Sequence, residues 1–132
     1  FAPLGYGFLT GAIDQETSFA PGDFRAMTTR MDPVNRAANM ALVDLARDWA
    51  VRKGVKPGQI ALAWLLAQSD SIVPIPGTTQ MPHLRDNIAA AQVSFTSTEL
   101  TEIRTALEGI QVLGGRAPQL VADWSDVEAP DA

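Results

Sequence analysis

The sequence predicts an α/β fold. A short β-branched run, Ile72–Ile75, is bounded by Ser71 and by Pro76-Gly77, and stretches with helical spacing of apolar residues lie on both sides of it. The opening residues 1–11 (FAPLGYGFLTG) place three glycines among apolar side chains, a pattern typical of a strand end followed by a turn. A buried strand flanked by helices is the arrangement of α/β domains.

Residues 12–34 predict a long loop. They contain prolines and many polar residues and have no sustained period. A loop of this length within a compact domain often serves as a functional lid. A disordered excursion is the alternative, but Phe19, Phe24 and Met27 give the segment apolar side chains with which to dock. We therefore expect an ordered loop.

Two helices are expected before the strand. The first runs from about Asn35 to Lys53 and ends at Gly54, the residue type that favours a helix C-terminus. Its apolar stripe consists of Ala38, Leu42, Leu45 and Trp49. The second begins at Pro57, since proline suits the first helical position. Because residues 60–67 are apolar nearly all round, we expect this helix to be buried between layers.

The strand at Ile72–Ile75 is expected to be a buried parallel strand, although Pro74 cannot donate a ladder hydrogen bond. The next helix begins near Pro82, and Leu84, Ile88 and Ala91 form its predicted inner face. A last helix follows the capping box of Thr96 and Glu99. Its apolar stripe consists of Leu100, Ile103 and Leu107. These segments form one partial domain, residues 1–116, followed by an acidic tail, residues 117–132, that is expected to fray.

Composition excludes several classes of protein. With 132 residues, 46% of them hydrophobic, and a mean hydropathy of +0.03, the chain fits one globular domain or part of one. The apolar run 60–67 is too short to span a bilayer, and the chain does not open with a basic segment followed by an apolar one, as a secretory signal would. We therefore expect a cytoplasmic protein without membrane contact. A net charge of −5 argues against nucleic-acid binding. The absence of Cys and the single His exclude thiolate and multi-His metal sites.

The start of the sequence allows two interpretations. It opens at Phe1 without Met, in an apolar run that leads into Pro3 and Gly5. Such a start is expected of a fragment that begins inside a strand, or of a trimmed mature N-terminus.

The segment after Ile75 carries the predicted chemistry. A strand end, a glycine turn and a helix start follow one another here, and the first N–H groups of a helix have no intrahelical partner. Together with the positive end of the helix dipole they favour an anion, usually a phosphate. Gly77 permits close approach of the backbone, and His83 and Asn87 share one helix face. The simpler alternative is that the threonines after Gly77 only cap the helix.

Three blocks of sequence, FAPLGYGFLTG, KGVKPGQIALAWLLAQ and IVPIPGTTQMPHLRDNIAAA, resemble the C-terminal part of the aldo/keto reductase family. The resemblance covers residues 1–116. It implies a (β/α)8 barrel in which Phe1-Ala2 end strand 7 and residues 72–75 form strand 8. It also implies an oxidoreductase that binds NADPH, or less often NADH, and reduces a small aldehyde or ketone.

The resemblance also assigns cofactor contacts. It places Phe1 against the nicotinamide ring, for which an aromatic face suffices. It places Ala2, Pro3, Leu4 and Gly5 in the turn beside the pyrophosphate. Ala2 stands where the family often has Ser, so one hydroxyl contact is missing. The loop 12–34 corresponds to the family segment that can fold over the cofactor.

The same resemblance assigns the adenosine end of the cofactor to the helix after the strand. The residues matched to the adenosine 2′-phosphate loop are Gly77, Thr78, Thr79 and Gln80. His83 falls where many members have Arg or Gln, so the preference for NADP over NAD stays open. Asp86 and Asn87 match an acid–amide pair near the adenine, whereas Arg85 points to another face of the helix.

No residue matches the family's catalytic Asp, Tyr, Lys and His, which lie on earlier strands. Tyr6 lies in the opening turn, Lys53 and Lys56 lie at a helix connection, and His83 belongs to the cofactor helix. The chain is therefore expected to hold the cofactor, to lack the proton donor, and to be inactive without the N-terminal portion of the barrel. Two alternatives stay open: a non-enzymatic nucleotide-binding or regulatory subunit on the same fold, and a helical interaction module.

Overall fold

A computed structural model of the chain describes residues 1–117, so nearly all of the acidic tail lies outside the described residues. The chain divides into two compact units. The first unit consists of Phe1–Ile13 and Ala41–Ile110, and the described part of the second consists of Asp14–Met40 and residues 111–117.

The described residues are mostly helical. The α-helices are α1 (Pro33–Lys53), α2 (Pro57–Leu66), α3 (Met81–Ala89) and α4 (Ser97–Glu108). Short 3-10 helices cover Gly5–Thr10, Phe24–Met27, Thr29–Met31 and Ala90–Gln92. No helix within residues 1–117 combines the length and the apolar content that crossing a membrane requires.

The helix ends follow from local sequence. Gly54 takes a left-handed φ of 66° just past α1, a conformation that glycine adopts without steric cost. Pro57 occupies the start of α2, as predicted. At α4, Thr96 Oγ1 accepts a hydrogen bond from Glu99 N–H at 3.2 Å, and Thr96 N–H donates to Glu99 Oε2 at 2.7 Å. The predicted capping box is confirmed.

The predicted strands are wrong for the described residues. Residues 72–78 belong to no strand, Phe1-Ala2 have no regular secondary structure, and Gly5–Thr10 form a 3-10 helix after the turn at Pro3-Leu4. A strand needs a neighbour to form its ladder, and residues 1–117 contain no strand that supplies one. Val73 and Ile75 accordingly remain 78% and 63% exposed.

The core of the first unit lies between α1, α2 and α4. It consists of Trp49, Ala50, Ile60 and Ile103, flanked by Leu45, Val55, Trp64, Val93, Phe95 and Leu107. The predicted stripe of α1 is misplaced in part, because Ala38 is exposed whereas Val43 and Ala46 are buried. Both sets satisfy helical spacing, so spacing alone could not choose between them.

Two further burial predictions are wrong. α2 buries one face only: Ile60, Leu62 and Ala63 are buried, but Leu66 is exposed. On α3 the predicted inner face is open, with Leu84 at 40% and Ile88 at 66% exposure, and Ala91 is exposed as well. Within residues 1–117 no helix or strand packs over these exposed faces of α2 and α3. Their amphipathic spacing therefore does not result in burial.

The second unit is ordered through side-chain contacts to the backbone. Asn39 is fully buried and pairs with Leu113: its Nδ2 donates to the Leu113 carbonyl and its Oδ1 accepts from the Leu113 N–H, both at 2.9 Å. Phe19 lies under the guanidinium of Arg25, 4.9 Å from the ring centroid. Phe24 and Met27 are exposed, so of the three predicted docking residues Phe19 alone is partly buried.

Candidate functional site

A cavity of about 750 Å³ opens in the first unit. Its walls come from the opening turn, the start of α2, the segment before α3, and one face of α3. The lining residues are Phe1, Ala2, Leu4, Tyr6, Gly7, Thr10, Ala12, Lys56, Pro57, Gly58, Gln59, Ile75, Pro76, Gly77, Thr78, His83, Asp86 and Asn87. The volume falls within the range of small-molecule and cofactor sites.

The opening turn is backbone-strained where it borders the cavity. Ala2 has a φ of 47° and Tyr6 has a φ of 56°. Within residues 1–117, positive φ at a non-glycine residue occurs at these two positions alone. Such conformations cost free energy and concentrate at functional sites. Thr10 Oγ1 closes the turn by donating to the Gly7 carbonyl at 2.6 Å. The strained backbone makes this turn a candidate functional segment.

The start of α2 packs closely on that turn. A Cβ added at Gly58 would lie 3.3 Å from Thr10 Cγ2 and 3.7 Å from Leu4 Cδ2, so glycine permits the approach. Gln59 is buried, and its Oε1 accepts a hydrogen bond from the Lys56 N–H at 3.0 Å. This bond fixes the residue at which α2 begins.

The segment before α3 presents free backbone donors. Within residues 1–117 the N–H groups of Gly77, Thr78 and Thr79 donate to no protein acceptor. The N–H of Gln80 donates to Thr78 Oγ1 at 3.1 Å, which leaves the hydroxyl hydrogen of Thr78 available. A Cβ added at Gly77 would meet nothing within 4 Å. The turn therefore offers N–H and O–H donors beside open space, as an anion requires.

One face of α3 completes the wall. His83, Asp86 and Asn87 have i, i+3 and i+4 spacing and all line the cavity, whereas Arg85 does not. Lys56 Nζ lies 2.6 Å from Asp86 Oδ2 and forms an ion pair that joins the start of α2 to α3. Among the lining residues, Lys56 is the one with a Lys or Arg side chain and Asp86 is the one with an Asp or Glu side chain. These two charged side chains of the cavity wall are therefore paired with each other.

The structure brings most of the predicted site residues to this one cavity. Those that line it are Phe1, Ala2, Leu4, Gly77, Thr78, His83, Asp86 and Asn87, and those that do not are Pro3, Gly5, Thr79 and Gln80. The cavity is also lined by Tyr6, Thr10, Lys56 and Gln59, which are not among the predicted site residues. The sequence shows Lys56 at a helix connection, and no spacing rule indicates that this connection borders α3.

Of the four residues considered for the family's catalytic roles, Tyr6, Lys56 and His83 line the cavity. Lys53 does not, and its Nζ donates a hydrogen bond to Glu99 Oε2 of α4 at 2.7 Å. In the part of the chain that the structure describes, no three His, Cys, Asp or Glu side chains group as metal ligands would.

Comparison with known proteins settles the family. The model described as "Aldo/keto reductase family" matches residues 1–108. The chain belongs to the aldo/keto reductase family.

Two relatives show how much of an aldo/keto reductase this sequence represents. Aldo-keto reductase yakc of Schizosaccharomyces pombe, whose name includes NADP(+), is 42% identical over 118 residues, which are 89% of this chain and 35% of the relative. Aldo-keto reductase str7 of Strobilurus tenacellus is 31% identical over 122 residues, which are 92% of this chain and 36% of the relative. The chain thus spans about a third of the length of these aldo/keto reductases.

Proposed function

We propose that this chain supplies the NADP(H)-binding part of an oxidoreductase of the aldo/keto reductase type. The observation that carries the proposal is the shared cavity. It is lined by Phe1, Ala2 and Leu4 of the opening turn and also by Gly77, Thr78 and the polar face of α3, which lie far from that turn in sequence.

The cavity residues suit a dinucleotide. Phe1, with half of its surface exposed at the cavity, offers an aromatic face to a nicotinamide ring. Thr78 and the free N–H groups around it offer donors to phosphate oxygens. Asp86 and Asn87 offer an acceptor and an amide to an adenine. The role of this chain is to bind and orient the cofactor.

The chemistry that such a cofactor supplies when bound is hydride donation to the carbonyl carbon of an aldehyde or ketone. The general acid that protonates the carbonyl oxygen is proposed to lie in the N-terminal part of the full protein, because no described residue matches that role. We further propose that the full protein is a (β/α)8 barrel and that residues 1–116 are its C-terminal portion. The name of the yakc relative supports NADP as the cofactor.

The experiment introduces negative charge where the phosphate is expected. In the full-length protein, Thr78→Glu and His83→Glu are each titrated with NADPH, and binding is followed by nucleotide fluorescence. A carboxylate at either position repels a phosphate, so we expect affinity to fall about tenfold or more. Thr98→Glu, on the exposed start of α4 and outside the cavity, is the matched control. Unchanged NADPH affinity in both cavity variants would remove α3 from the cofactor site.

A regulatory or non-enzymatic nucleotide-binding subunit stays as an alternative, because no catalytic set lies within residues 1–117. It predicts NADPH binding without carbonyl-dependent NADPH oxidation by the full-length protein.

A helical interaction module is consistent with the lack of a strand before Pro76. It predicts no nucleotide binding at all, and the cavity and the family membership both argue against it.

A further inference from the structure

We propose that Lys56, held in place by Asp86, binds the 2′-phosphate of NADP(H) and selects it over NAD(H). This inference rests on the proposed function and deepens it: the cavity is taken to bind a nicotinamide dinucleotide, and Lys56 is assigned as a specificity-determining residue.

The position of Lys56 is fixed at both ends. Its N–H is bonded to the buried Gln59 side chain at 3.0 Å, and its ammonium lies 2.6 Å from Asp86 Oδ2 on α3. Asp86 is mostly buried, with 28% of its side chain exposed, so the carboxylate is an anchored partner. The ammonium is therefore held over the face of α3 that carries His83 and Asn87.

The ammonium retains capacity for a second anion. A lysine has three N–H donors, and the contact with Asp86 Oδ2 uses one of them. The Lys56 side chain is 66% exposed and Lys56 lines the cavity, so a ligand in the cavity can reach its remaining donors. Lys56 is the one lining residue with a Lys or Arg side chain. Its ammonium is therefore the permanently positive side chain that an anionic ligand in the cavity can contact.

The positive charge of Lys56 favours the 2′-phosphate of NADP(H) over the 2′-hydroxyl that NAD(H) has at the same position. A phosphate monoester carries close to two negative charges at neutral pH and three strong acceptor oxygens. The 2′-hydroxyl of NAD(H) has neither, so an ammonium gains much more from the phosphate. Discrimination between the two cofactors follows from one charge-assisted contact.

A purely structural role for the ion pair is the competing explanation. An ion pair whose lysine is mostly exposed contributes little to folding stability. The unit has other ion pairs, Lys53–Glu99 and Arg52–Glu102, that lie outside the cavity. Lys56–Asp86 differs from them in bordering the candidate cofactor site, where a ligand can use the charge.

The test compares cofactors in the full-length protein. Dissociation constants for NADPH and for NADH are measured for the wild type and for Lys56→Gln, Lys56→Arg and Arg85→Gln. We expect Lys56→Gln to weaken NADPH binding about tenfold and NADH binding less than twofold. Lys56→Arg keeps the charge and should keep most of the preference. Arg85→Gln removes the same charge from α3 but outside the cavity, and should leave the ratio of the two constants unchanged.

The outcomes separate the two proposals. If the wild type binds neither nucleotide, the proposed function fails and this inference fails with it. If the wild type binds NADPH but Lys56→Gln leaves the NADPH-to-NADH ratio unchanged, the inference is overturned while the proposed function stands. Equal weakening of both nucleotides also overturns it. Circular dichroism of each variant establishes that the fold is intact. Titrations with adenosine 2′,5′-bisphosphate and with adenosine 5′-monophosphate repeat the comparison of ligands with and without the 2′-phosphate, in the absence of the nicotinamide.

Discussion

The rings of Trp49 and Phe95 meet edge to face, with centroids 5.9 Å apart and planes at 79°. Trp49 lies on α1 and is buried, and Phe95 lies just before α4, so this contact joins two elements that are distant in sequence. Edge-to-face pairs add to the stabilisation that burial of aromatic surface provides. The pair therefore ties the partly buried Phe95 to the buried core of the first unit.

Trp49→Ala should lower the free energy of unfolding by about 3–5 kcal/mol, because it removes a buried aromatic side chain and leaves a cavity. Urea denaturation measures the change. Val51→Ala is the matched control: Val51 lies on the same helix and is 83% exposed, so its effect should stay within about 0.5 kcal/mol. Equal losses for the two variants would contradict the assignment of the core.

Thr96→Ala should destabilise the protein by about 1 kcal/mol, since it removes the side-chain acceptor of the Glu99 N–H at the start of α4. Thr98→Ala, two residues further along, removes an exposed threonine that caps nothing and serves as the control. Thermal unfolding followed by circular dichroism compares the two. A similar melting temperature for both variants would show that the capping box contributes nothing.

Asp23 should titrate at unusually low pH. Hydrogen bonds from the Arg25 side chain, and next from the Arg25 backbone N–H, lower the pKa of this carboxyl to about 2, against an ordinary value of 3.8. Because the pKa is depressed by folding, the stabilisation is fully present above about pH 4 and is lost as pH falls through 2.

Arg25→Gln should raise the pKa of Asp23 toward 3.8, as NMR titration of the side-chain carboxyl would record. Asp14 provides an internal control, because a hydrogen bond from Thr17 is the main cause that lowers the pKa of Asp14. Its titration should not move in the same variant. A parallel shift of both carboxyls would point to a general change in the second unit.

Gly114→Ala should destabilise the protein by about 2 kcal/mol or more. Gly114 has a φ of 84°, and a Cβ there would lie 2.6 Å from the Arg30 backbone nitrogen, so both strain and collision oppose the substitution. Gly109→Ala is the control, because Gly109 has a φ of −82° and its added Cβ would lie 3.5 Å from the Ala106 carbonyl oxygen. Denaturation midpoints that fall equally would refute this explanation.

Local signals predicted the helices well because a helix is closed by bonds between near neighbours. Gly54, Pro57 and the Thr96–Glu99 box marked helix ends that the structure confirms. The predicted strand at Ile72–Ile75 was wrong, because a strand depends on a partner outside its own sequence and the described residues supply none. The family resemblance was confirmed, whereas the cofactor contacts assigned from it stay predictions.

The candidate site shows the same division. The turn at Gly77 and the His83–Asn87 face were recognised because each is a short local pattern. Lys56 was missed because its importance comes from contact with Asp86, thirty positions away. The open face of α3 at Leu84 and Ile88 was predicted as buried because periodicity reports which side is apolar and not what lies against it.

The pairing of Asn39 with Leu113 has a consequence for how the polypeptide matures. One buried amide side chain satisfies both polar groups of a residue 74 positions later in the chain. During synthesis the early segment around α1 emerges long before Leu113, so Asn39 must remain hydrated or weakly bonded until α4 and the residues beyond it have left the ribosome. Closure of the second unit is therefore a late event in biogenesis, and a ribosome stalled before Leu113 would leave that unit open.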